Sequence, residues 1–269
     1  MLVDTHCHIN TIIKKDFDVP LPKNYVQLAQ QIIDEATQHK VTTIINVGTS
    51  LQESIDCVSL AQCFKNVWAT VGLHPNDCTS NWINDFKKIK ALVHDKQYNN
   101  IVGIGECGMD FHYPEYNVQR QKDVFKAHIE LALENNLALV IHTREAPEET
   151  LGVLSEYASQ ISRGVIHCFS EKQDFANQVI DWGFILGIGG TLTYPKNNYL
   201  RDIAQNVSLK KIVLETDAPF LPIQAMRGKK NHPKYIAEIA QFLANLRNES
   251  LYVITKQTTY NALRLFNIS

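Results

Sequence analysis

The 269-residue chain is short of several features, and each shortage narrows what it can be. It has no basic excess: 26 Lys+Arg stand against 28 Asp+Glu, a net charge of −2, so no broad positive field holds nucleic acid non-specifically and any such contact must be local. Its 6 cysteines (Cys7, Cys57, Cys63, Cys78, Cys107, Cys168) form no C-x-x-C pair, which points to free thiols in a reducing, cytoplasmic setting. No apolar run reaches the ~20 residues of a membrane span, and no basic segment leads into a long apolar stretch as in a signal peptide. No Pro/Gly/Ser-rich linker or shift in composition divides the chain, so one domain over residues 1–269 is expected, with no membrane association and no obligate protein partner.

What is present is a rhythm. Eight short apolar runs recur: Leu2 to His6, Thr42 to Gly48, Val67 to His74, Ile101 to Glu106, Ala138 to His142, Gly164 to His167, Phe184 to Gly189 and Lys211 to Asp217. Near-continuous apolar runs read as strands buried on both faces. Helical patterns follow them. Tyr25 to His39 carries Leu28, Ile32 and Ala36 at helical spacing, Asn81 to Lys96 repeats Trp82, Phe86, Ile89 and Val93, and Asn117 to Asn136 aligns Val124, His128 and Leu131. Ser50, with Glu53 three positions on, predicts a capping box for a helix through Phe64. Shorter patterns cover 146–159, 172–182 and 198–206, and His232 to Arg247 and Ser250 to Phe266 complete the set. Strand–helix alternation predicts a parallel sheet, and eight units in this length predict a closed (β/α)8 TIM barrel. Weighing against an open doubly wound sheet, no Gly-rich phosphate loop follows the first run. Long loops are expected at Ile9 to Asn24, Cys107 to Tyr116 and Ala218 to Asn231, gathered at the C-terminal face where such barrels build their sites.

The strand ends carry the chemistry. Asp4-Thr5-His6-Cys7-His8 closes the first run, and alternation along a strand puts His6 and His8 on one face, with Asp4 beside them as a hydrogen-bond acceptor for a ligand histidine. Cys7 faces the other way. Glu106, His142, His167 and Asp217 end the fourth, fifth, sixth and eighth runs. Each alone has an ordinary structural explanation. Together they place four imidazoles and two carboxylates at equivalent points of five units, which is the composition of a metal site, and a binuclear one. Glu215 lies one pleat below Asp217 and is expected to support the site. Cys107 and Cys168, like Cys7, are expected to turn outward into the packed layer.

In order along the chain, Asp4 to His8, Gly72-Leu73-His74-Pro75, Gly105 to Asp110, Ile141 to Ala146, His167 to Ser170, Leu214 to Pro219 and Arg227-Gly228-Lys229 resemble the TatD family of metal-dependent deoxyribonucleases. The resemblance spans nearly the whole chain. It implies an amidohydrolase-like barrel that hydrolyses phosphodiester bonds of DNA, in the form of a 3′–5′ exonuclease on single strands, with two divalent ions, Mg2+ or Mn2+ and alternatively Zn2+. His6, His8 and Asp217 would hold one ion, His142 and His167 the other, and Glu106 would bridge them. Asp217 would orient or deprotonate the attacking water, while His74, Arg144, Arg227 and Lys229 would contact the substrate, which is DNA or, alternatively, RNA.

Three positions depart from that pattern: Asn76 where a second histidine is common, His232 where a small polar or acidic residue is usual, and Glu171 after Ser170. His232 is expected to start a helix, with a substrate contact as the alternative. The same metal centre suits cleavage of an amide, ester or lactone, but Glu106 stands where several such enzymes use a carbamylated lysine. A binding scaffold with a dead site is the third reading, and the intact ligand set argues against it.

Overall fold

The computed structural model describes residues 1–268. Its elements alternate as the apolar rhythm predicts. They begin β1 (Leu2–Cys7), α1 (Ile9–Lys14), α2 (Tyr25–Gln38), β2 (Val41–Val47), α3 (Leu51–Cys63), β3 (Val67–Val71), α4 (Trp82–His94) and β4 (Ile101–Asp110). They continue α5 (Val118–Asn135), β5 (Ala138–Arg144), α6 (Pro147–Ser155), β6 (Gly164–Ile166), α7 (Gln173–Asp181) and β7 (Ile185–Ile188). The last are α8 (Asn198–Asn206), β8 (Ile212–Leu214), α9 (Ile236–Arg247) and α10 (Leu251–Phe266). The strands form one parallel eight-stranded sheet in sequential order, a nearly closed (β/α)8 barrel.

Two apolar layers hold it. Val3, Ile45, Val47, Val102, Val140, Val165 and Val213 come from six strands and pack on one another, which only the barrel lumen allows; Leu265 and Phe266 of α10 join them. The larger layer lies between strands and helices and includes Cys7 and Cys107, both fully buried, so these two thiols do face outward.

Local details differ from the sequence pattern for identifiable reasons. The stretch after the first strand is not all loop, because Ile9 and Ile13 pack into the outer layer as one face of α1. The capping box at α3 is half made. Ser50 Oγ accepts from Glu53 N at 3.2 Å, but the Glu53 carboxylate takes Lys14 Nζ at 2.6 Å and Asp18 N at 2.8 Å instead of returning to the cap. A buried ammonium competes better for that carboxylate than a backbone amide does. His232 starts a helical turn as expected, its Nδ1 accepting from Lys234 N at 3.1 Å.

His128, on the buried stripe of α5, bridges two elements: Nδ1–H donates to Val124 O at 2.7 Å and Nε2 accepts from Leu73 N at 3.0 Å. Burial lowers its pKa from 6.5 to about 4. The unfolded chain therefore takes up this proton first, and stability is lost as pH falls from 6.5 toward about 4. That drop corresponds to roughly 3 kcal/mol. We expect the Tm advantage of the wild type over His128→Gln, whose amide oxygen keeps the Leu73 contact, to shrink across that window; a constant difference in a pH series would remove His128 as its source.

Candidate metal centre

Two irregularities in the sheet aim the central residues. Between Asp4 and Cys7 the register of β1 against β2 slips by one residue, and between Ile104 and Cys107 that of β4 against β5 does the same. Bulges re-aim side chains. The first contains His6 and the second Glu106, and the two side chains meet with Nε2 and Oε2 3.2 Å apart. The glycines nearby are required by space: a side chain at Gly108 (φ +144°) would strike the His142 backbone, and one at Gly187 would strike the Glu215 carboxylate.

Glu106 is the hub. Its Oε1 stands 2.9 Å from His142 Nδ1, 3.3 Å from His167 Nε2 and 3.6 Å from His74 Nε2. On the other side, His6 Nε2 and His8 Nε2 are 3.2 Å apart, and His8 Nε2 lies 3.3 Å from Asp217 Oδ1. All six residues expected to bind metal thus converge, with His74 beside them. Three of the imidazoles have their outer nitrogen occupied. His8 Nδ1–H donates to Val47 O at 2.8 Å, His142 Nε2–H to Asp110 Oδ2 at 3.0 Å and His167 Nδ1–H to Glu215 Oε1 at 3.2 Å. In that tautomer each inner nitrogen presents a lone pair to the cluster, which is how metal-binding histidines are oriented. His6 differs, since its Nδ1 is buried without a partner among the described residues.

Two ligand groups share Glu106: His6, His8 and Glu106, and Glu106, His142 and His167. Their donors, neutral nitrogens and carboxylates turned inward, fit divalent cations. Charge is finely divided. Burial opposes ionisation of Glu106, yet the charges of His167 and His6 hold it well below the ordinary carboxylate range. Burial likewise opposes the charge on Asp217, and the His8 hydrogen bond and His167 keep it low. Burial and His167 lower His6, whereas Glu106 and Glu215 outweigh burial and raise His167.

The remaining residues spread outward. Arg144 lies on the rim with its guanidinium 5.9 Å from the Tyr113 ring, and Arg227 lies over Tyr194 at 4.8 Å. Arg227 and Lys229 are exposed, and neither lines the cavity of about 340 Å3 that opens over Glu106. That cavity is walled by His8, His74, Asn76, Phe17, Tyr113 and Phe220, among others.

Several expectations need correction. Asp4 does not orient a histidine ring. Its oxygens accept from Thr216 N at 2.9 Å and Thr216 Oγ1 at 2.6 Å, because the bulge breaks the alternation that would place it beside His6. Cys168 is not in the outer layer: β6 ends at Ile166, and Cys168, at φ +45°, is half-buried. Glu215 does support the site, through His167 and the Cys168 amide. Asp110 is the residue that the strand-end pattern overlooks. It lies four residues after Glu106 on the same strand and holds both His142 and Asn76 Nδ2, the latter at 3.0 Å. Its period-two spacing from Glu106 was the available signal.

A parallel barrel with imidazoles and carboxylates clustered at its C-terminal strand ends defines a metal-dependent hydrolase. The family model described as TatD related DNase matches residues 3–267, and the chain belongs to that family. It is 32% identical over 270 residues to the metal-dependent hydrolase YabD of Bacillus subtilis, covering 100% of both chains. It is 31% identical over 261 residues to a 3′-5′ ssDNA/RNA exonuclease TatD of Pantoea ananatis, covering 94% of this chain and 99% of that one. The crystal structure of YJJV, a TatD homologue from Escherichia coli, superposes with a TM-score of 0.90 at 25% identity, covering 100% and 98%.

Asp110→Asn and Glu215→Gln remove the charge behind two imidazoles, and each should weaken retention of divalent metal by roughly 10–100-fold. Dialysis against graded chelator followed by elemental analysis measures this. Undiminished retention in both would show that the ring orientations do not depend on these carboxylates.

Proposed function

We propose that this protein is a deoxyribonuclease that cleaves phosphodiester bonds of single-stranded DNA from the 3′ end, using two divalent ions. The observation that carries the reading is Glu106, one buried carboxylate shared by two imidazole groups whose outer nitrogens are already committed. The similarity to a 3′-5′ ssDNA/RNA exonuclease over 94% of this chain and 99% of that one supports the substrate class. In this reading His6, His8 and Asp217 hold one ion, His142 and His167 the other, and Glu106 both. Mg2+ or Mn2+ is the expected occupant, with Zn2+ the alternative that imidazole donors also admit. Divalent ions bound there would polarise the phosphodiester and lower the pKa of water.

The chain's own groups then have distinct tasks. Asp217, whose Oδ1 lies 3.3 Å from His8 Nε2 at the edge of the cluster, orients the attacking water and accepts its proton. His74 is held neutral, its pKa lowered to about 3 by burial and by His142, so it contacts a phosphate oxygen as a hydrogen-bond donor and not as a cation. Asn76, in place of a second histidine, cannot act as an acid; its amide steadies Asp110. Arg144 at the rim, and Arg227 and Lys229 beyond it, meet phosphates farther along the strand. RNA fits the same groups.

The test is a 5′-labelled single-stranded oligonucleotide incubated across a series of Mg2+, Mn2+ and Zn2+, beside a panel of amides, esters and lactones. Shortening from the 3′ end, stopped by chelation, is expected. Cleavage confined to the amide and ester panel would overturn the nuclease reading. Glu106→Ala should abolish turnover and lower metal content together, while Cys7→Ser, in the outer layer, should retain activity; full activity in the Glu106 variant would remove the shared-carboxylate centre.

A further inference from the structure

Phe17 and Phe220 line the cavity yet remain 49% and 38% exposed, a costly arrangement for two phenyl rings at the mouth of a polar site. Their planes lie within 6° of parallel with centroids 6.0 Å apart, and Phe220 stands edge-on to His8 at 5.7 Å. Neither is on a loose loop. Next to Phe17, Asp18 is tied by its amide to Glu53, which is itself buried against Lys14 and Asn10, and by its carboxylate to Ser50. Phe220 donates its amide to Asp217 O at 2.7 Å, and its carbonyl accepts from the buried Asn231 side chain at 2.8 Å. Two unrelated sets of polar contacts, anchored on buried Glu53 and buried Asn231, therefore hold the backbone at two exposed rings beside the candidate metal ligands.

We propose that Phe17 and Phe220 form a stacking wall for one unpaired nucleobase, that of the nucleotide whose phosphodiester is cleaved. This rests on the nuclease reading and adds to it the part of the substrate that is not phosphate. Every base has a flat π-face, so the wall accepts any base but requires it to be out of a helix. The rings' parallel planes extend a stack, and Tyr113, also in the cavity lining, carries the Arg144 guanidinium 5.9 Å from its ring. Phe17 and Phe220 act as positioning residues and take no part in bond making.

The experiment compares single-stranded oligonucleotides that differ only in whether the 3′-terminal nucleotide carries its base or is abasic. For the wild type, kcat/KM should fall about tenfold on the abasic terminus, the scale of one base–aromatic stack. In Phe17→Ala/Phe220→Ala the two substrates should be cleaved at nearly equal kcat/KM, with the loss on the intact one expressed mainly in KM. Phe17→Trp/Phe220→Trp should restore the discrimination, which a merely misfolded mouth would not do. Equal cleavage of both substrates by the wild type, or discrimination that survives the double alanine variant, overturns the stacking wall while leaving the nuclease reading intact. Failure of the wild type to cleave any oligonucleotide overturns both.

Discussion

Closure of the barrel between its last and first strands is the constraint on which the site depends. β8 stops at Leu214, too early to run a regular ladder along β1. The seam is made instead by Thr5 Oγ1 donating to Leu214 O at 3.0 Å, by the Asp4 carboxylate receiving Thr216, by Asp217 N donating to His6 O at 2.8 Å and by His8 N donating to Ala218 O at 2.8 Å. Two of the bonds that close the barrel thus belong to the backbone of His6, His8 and Asp217 themselves. Residues more than 200 positions apart are brought to contact by the same interactions that complete the fold, so the site cannot loosen without the seam loosening. Asp4 carries much of this. Its burial is complete and pushes its carboxyl up to about 8 despite two bonds from Thr216, a state that survives only because the surrounding seam holds it.

A second balance is electrostatic. Burying a carboxylate costs several kcal/mol, and attraction to one cation about 4 Å away returns roughly 4 kcal/mol at an effective dielectric near 20. Glu106 has four imidazoles around it, but they cannot all carry protons. His6 and His167 stack with centroids 3.6 Å apart, and each proton added to one disfavours the other. Behind them Asp110 and Glu215 add further negative charge, Asp110 held near pKa 2 against burial by His142 and His112. Protonation alone therefore offsets the buried carboxylates incompletely. A divalent cation supplies two charges at one point and requires the imidazoles neutral, which resolves their mutual repulsion and the carboxylates' demand together.

The fold was legible because eight apolar runs and the helices between them are long-range averages; a misplaced boundary at β3 or β8 does not change the alternation. The convergence of the six candidate residues was legible for a related reason, since strand ends of a barrel meet whatever the details of each strand. Illegible were the departures from strict period two. The bulges that aim His6 and Glu106 leave no mark in the hydrophobicity pattern, so strict alternation misplaces Asp4; nor does the end of β6 at Ile166, which takes Cys168 out of the alternation. Local motifs also lose to stronger distant partners. Glu53 completes a capping box in sequence, but Lys14, 39 residues away, takes its carboxylate and anchors the loop at the mouth. Asp110 was hidden differently: the strand continues past its predicted end at Glu106, and the last turn of alternation carries it into the site.

In the nuclease reading, a chain of net charge −2 meets a polyanion through cations placed close to its site. Arg144 stands at the rim, and Arg227 and Lys229 are exposed outside the cavity. On single strands each neutralised phosphate contributes a salt-dependence of about 0.7 in the logarithm of affinity, so a handful of contacts gives weak, adjustable holding along the backbone. In that reading affinity is concentrated at the reacting nucleotide, in the cluster around Glu106 and in whatever grips the base. For an enzyme working from an end this division is favourable. Strong backbone binding would hold substrate and shortened product alike, whereas contacts confined to the terminal nucleotide are made anew after each cleavage and vanish with the released one.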